Sequence, residues 1–121
     1  MTAQNTPLRE RLRAALPTAM KARDRAAVAA LRSALAAIDN AEAVDGSDVR
    51  AGAIESSPVG LGTAEVARRH LTEPDITAIV RREIDDRLTA AKEYDSHPNG
   101  TDRAATLRAE ATALATHLDL P

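Results

Sequence analysis

Lys21, Arg23, Arg25 and Arg32 set four cations within twelve residues, and such a cluster has the chemistry to meet phosphate oxygens. A second set, Glu42, Glu83, Arg87 and Glu110, falls on or beside stripes of apolar residues that recur at helical spacing. There a charge must find an opposite charge. Asp85 and Asp86 are neighbouring carboxylates, and His70, His97 and His117 are the three histidines.

Most catalytic chemistry is excluded on spacing. Adjacent residues on a helix point about 100° apart, so Asp85 and Asp86 do not converge on one substrate atom. The three histidines stand in separate segments without metal-ligand spacing, and they read as structural or solvent-facing side chains. No metal is expected. The glycine pair in "VGLGTAEV" lacks the strand-turn-helix setting of a phosphate loop and reads as linker, and no HExxH or nucleophile elbow occurs. No cofactor is implied. With no cysteine in the chain there is no disulfide, no thiolate nucleophile and no Cys-based zinc site.

The elements that must position these residues are helices. The chain has no Phe, no Trp and a single Tyr, and Ala and Leu, both strong helix formers, supply most of its hydrophobic content. A length of 121 residues suits one domain over 1–121. The first helix is expected to open at Thr6 as cap with Pro7 at its first position, and to bury Leu8, Leu12, Leu16 and Met20, with a kink or break at Pro17. Asp24 caps the second, which shows Val28, Leu31, Leu35 and Ile38 on one face and a flank of Ala27, Ala30, Ala34 and Ala37 for close approach. A very tight turn at "ARDR" joins the two. Residues 44–62 lose the period and hold four of the five glycines, which reads as a long flexible loop.

The third helix has a start signal in Thr72 and Asp75, with Leu71 and Ile76 as a hydrophobic staple, and an apolar face of Ile76, Ile79, Val80, Ile84, Leu88 and Ala91. "SHPNG" ends it. The fourth opens at Thr101 or Asp102 and carries Leu107, Ala111, Leu114 and Leu118. The fold expected is therefore all-α, a four-helix domain of two helical hairpins joined by the loop.

Helical phase then assigns the second charged set. Glu42 lies in line with Leu31, Leu35 and Ile38, and Arg87 lies inside the arc of Ile76, Val80, Ile84 and Ala91. The expectation is a half-buried Arg87 paired with Glu42, Glu83 or Glu110, an ion pair that holds helix register. The net charge of -2 is unevenly spread: residues 1–43 carry seven Lys or Arg against four acids, and residues 73–121 carry six against ten. The basic turn is thus a candidate nucleic-acid contact, or simply a solvated basic surface. With Tyr94 the lone aromatic, stacking on bases is not supported, and backbone and shape contacts remain. No apolar run at the N-terminus resembles a signal peptide and no segment reaches membrane-spanning length, so a cytoplasmic protein without a membrane partner is expected.

"AMKARDRAAVAALRSALAAIDNAEAV" resembles the opening hairpin of the GatB/YqeY family, in which a basic "MKAKDK" turn precedes an "LR…LAAIKNAEI" helix. "EIDDRLTAAKEYD" is similar to the family's "EIKQRRDAAEEYE", and "LRAEATALATHLDLP" to its "KAELEVLEKYLP". The three segments occur in order and cover nearly all of the chain outside 44–62. The resemblance implies a helical domain like the tail of the GatB subunit of the tRNA-dependent amidotransferase. It also implies a family-level association with carbon-nitrogen ligase activity using glutamine as amido-N-donor. This chain departs from the family in Pro17 and in ending at Pro121, where longer members continue into a second helical subdomain, so it reads as a short form. The expected role is auxiliary to tRNA-dependent amidation and not itself catalytic, with tRNA and an amidotransferase or another translation protein as the implied partners. A protein-interaction adaptor is the alternative, and a homodimer is left open.

Overall fold

The structure, a computed structural model, describes residues 6–43 and 70–118. Among them it is four helices without strands: α1 (Leu8–Ala22), α2 (Arg25–Glu42), α3 (Glu73–Asp95) and α4 (Thr101–Leu118). The segment 44–62, read as a flexible loop, lies outside the described residues. α1 and α2 form one antiparallel hairpin and α3 and α4 the other, and the two pack together around Leu12, Leu31, Ile38, Val80 and Leu114. A smaller cluster of Ala91, Ala104 and Leu107 joins α3 to α4 farther along.

With no large aromatics to fill space, close approach is achieved by alanine. Ala30, Ala34, Ala91 and Ala104 are almost fully buried, which lets the helix backbones draw near.

Two expected core residues face outward, for the same reason. Met20 is 49% exposed and Leu88 43%. Each stands twelve residues after the first apolar residue of its stripe, Leu8 or Ile76, and at about 100° per residue that spacing accumulates a rotation of about 120°. Ala19 is buried in place of Met20, and position 87 points inward in place of 88.

Helix ends follow local rules in three places and a long-range rule in one. Arg23 closes α1 in the left-handed conformation (φ 58°), with its N–H to Met20 O (3.1 Å) and the Asp24 N–H to Ala19 O (3.0 Å). Asp24 then caps α2 by accepting from the Ala27 N–H at 3.0 Å. Thr72 and Asp75 form a reciprocal capping box at α3, at 3.2 Å and 2.9 Å. At α1, however, the cap position falls on Pro7 and not on Thr6. The free Leu8 N–H donates instead to Glu73 Oε2 at 2.8 Å, so the first residue of α3 closes the start of α1.

Pro17 does not break α1. The helix runs through it, with Pro17 on the exposed face, where the Arg13 carbonyl that loses its helical partner can be hydrated. In the α3–α4 turn, Gly100 is buried. A Cβ there would lie 2.0 Å from the Tyr94 carbonyl oxygen, so this turn needs glycine for close backbone approach.

Candidate functional site

The hairpin tip between α1 and α2 is built by the two caps just described. The left-handed Arg23 ends one helix and Asp24 starts the next, so Lys21, Arg23 and Arg25 stand at the turn, with Arg32 two helical turns along α2. All four are exposed, and among the described residues none of them forms an ion pair. The one carboxylate of the turn, Asp24, is occupied with its own helix.

Three of these cations rim a shallow groove of about 340 Å³. Arg23, Arg25 and Arg32 stand around a floor of Met20, Val28 and Ala29. Sequence reasoning found the arginines and missed the floor, because it had assigned Met20 to the core. The outward phase of Met20 and the bare alanine at position 29 were the available signals. Arg68 and Arg69, adjoining basic residues in the sequence, lie outside the described residues.

Among the described residues, Arg9, Arg11 and Arg87 near the interior each have partners, although the buried Nε of Arg9 and of Arg11 has none. Arg87 donates from Nε to Glu110 Oε1 (2.8 Å) and from Nη1 to Glu83 Oε1 (3.0 Å) and the Glu83 carbonyl (3.1 Å). Ser33 on α2 donates to the same Glu83 oxygen at 2.7 Å. One chain of polar groups therefore links α2, α3 and α4, and Arg87 and Glu110 keep only 14% and 11% of their side chains exposed.

Glu42 does not belong to this cluster. It takes Arg9 of α1 in a two-pronged pair (2.7 and 2.9 Å), and Asp39 bonds the same guanidinium. Glu42, and then Asp39, hold Arg9 firmly protonated against the opposing effect of burial. Helical phase gives the face a residue occupies but not its partner's height along the axis. Ser33 is level with Glu83, and Glu42 is nine residues on, about 13 Å farther along α2 at 1.5 Å per residue.

Arg11, also missed from sequence, reaches two carbonyls, those of Thr6 and His117 (3.1 Å), and so ties α1 to the C-terminal end of α4. Burial, reinforced by the charge of Arg11, lowers the pKa of His117. His70 and His97 are exposed, His97 beside the Tyr94 ring (6.1 Å between centroids), and Asp85 and Asp86 are exposed as well. Arg108 and Asp95 form a surface pair, in which the hydrogen bond from Arg108 lowers the Asp95 pKa. Among the described residues no group of three or more His, Cys, Asp or Glu is placed to hold a metal ion, and no helix is long and apolar enough to cross a membrane.

Comparison with protein-family models, with curated proteins and with solved structures finds no match. The likeness to GatB/YqeY rests on the quoted segments alone.

Proposed function

We propose that this protein is a non-catalytic helical module, auxiliary to tRNA-dependent amidation, that touches the tRNA backbone through Lys21, Arg23, Arg25 and Arg32. The observation that carries the reading is their freedom. Four exposed cations, three at the turn and Arg32 farther along α2, have no ion pair among the described residues, while Arg9, Arg11 and Arg87 against the core are bonded. A local basic patch steers a polyanion even when the whole chain carries a net charge of -2. The amidation itself, a carbon-nitrogen ligase reaction with glutamine as donor, enters through the family resemblance, and the chemistry is assigned to a partner enzyme.

Fluorescence anisotropy of purified protein with bulk tRNA, at low and near-physiological salt, tests this. Four phosphate contacts predict a slope of log K against log salt of about -3 to -4. Neutralising Lys21, Arg23 and Arg25 should flatten it to about -1. Absence of binding at low salt would sink the proposal and favour the second reading, a protein adaptor, to which the half-exposed Met20 beside the arginines is suited.

A further inference from the structure

The groove at the tip has a feature that backbone contact does not use, an apolar floor. Phosphate oxygens gain nothing from Met20, Val28 and Ala29, and a duplex keeps its bases stacked out of their reach. We propose that the groove seats one unstacked nucleotide of a single-stranded RNA segment. The base and ribose lie on the floor, and Arg23, Arg25 and Arg32 take the flanking phosphates. This inference rests on the RNA reading above and deepens it.

Size is the first support. A groove of about 340 Å³ is at the small end of the roughly 300–1,000 Å³ range of small-ligand sites, enough for one planar group. A partner helix would need anchors at i, i+3 or i+4 and i+7, spread over about 10 Å, whereas this floor is three side chains at the ends of two helices. The second support is the rim. Guanidinium planes both stack on bases and bind phosphate in two-pronged fashion, so arginines around an apolar floor can address both parts of a nucleotide. Asp24 caps α2 through the Ala27 N–H and keeps its negative charge, so four cations against one carboxylate leave the turn and the adjoining helix net positive.

Backbone conformation is the third. Arg23 is the one non-glycine residue with positive φ among the described residues, in a position where glycine is the usual choice. The Schellman-type bonds to Ala19 and Met20 hold it there, next to Met20, and keep one wall of the groove in place.

The test compares three labelled probes on the full chain by anisotropy: a single-stranded oligoadenylate, an abasic oligomer with the same number of phosphates, and an RNA duplex. Oligoadenylate should bind more tightly than the abasic oligomer, because an arginine plane and apolar side chains can hold a base without an aromatic ring. Met20→Ser should erase that difference and leave the abasic oligomer unchanged, and Met20 is exposed enough that thermal melting should not move. Arg23→Gly should weaken both. Equal binding of oligoadenylate and abasic oligomer overturns the nucleotide site while leaving phosphate contact intact. No binding of any probe at low salt overturns the RNA reading too. Binding of an amphipathic Glu/Leu peptide, weakened by Met20→Ser while the RNA probes do not bind, would give the groove to a protein partner.

Discussion

The two ends of the α1–α2 hairpin use arginine in opposite ways. At the open end, Arg9 is 17% exposed and locked between Asp39 and Glu42, and Arg11 is spent on two carbonyls. Around the tip, Arg23, Arg25 and Arg32 are exposed, and among the described residues their side chains form no ion pair. Residue type is the same, and topology makes the difference. The open end gathers the start of α1, the end of α2, the start of α3 and the end of α4, so carboxylates and helix-end carbonyls are delivered to its cations. The tip is a two-residue turn with one acid, already in use.

The contrast breaks most visibly where charge is buried. Glu110→Ala removes one of the two carboxylates around Arg87 and leaves it with Glu83 alone, so the unfolding free energy should drop by about 2 kcal/mol in a denaturant titration. Arg25→Ala at the tip should change it by no more than about 0.5 kcal/mol. Equal effects at the two sites would mean that burial is not what separates structural from free arginines here.

Arg23→Gly sharpens the comparison with the opposite sign. Relief of a left-handed conformation is worth about 1–2 kcal/mol and the added flexibility of glycine in the unfolded chain costs about 0.5–1 kcal/mol. The net expectation is a gain of about 0.5 kcal/mol in stability together with weaker tRNA binding. A variant that loses stability would show that the Arg23 side chain supports the fold and is not held in reserve for a ligand.

The smallest effect is on pH. His117 has its folded pKa lowered by burial and by Arg11, so the unfolded chain takes up a proton more readily than the folded one. Its contribution is complete above the unfolded value near 6.5 and is lost as pH falls from there toward the depressed folded value. The melting temperature should therefore slip modestly below pH 6.5, and His117→Gln should remove that part of the slope.

Much of this arrangement is legible in residue types. Thr72 with Asp75, and Asp24 at the turn, are local signals because a cap is satisfied within three residues. The cap of α1 was not legible, since Glu73 supplies it from 65 residues away. Nor was the true partner of Glu42, because a periodicity argument carries angle and no axial registry. The groove was half legible: charges announce themselves, whereas an outward methionine at the end of a drifting stripe resembles a core residue.

Composition and periodicity by themselves determined that the described segments are helical, where their hairpins turn, and that one of those turns is basic. These are properties of segments a few residues long, governed by backbone sterics and the 3.6-residue repeat. Only the tertiary structure decided which arginines are paired. Pairing depends on how far one helix has slid along another, and that is set by the summed packing of Leu12, Leu31, Ile38, Val80 and Leu114 across all four helices.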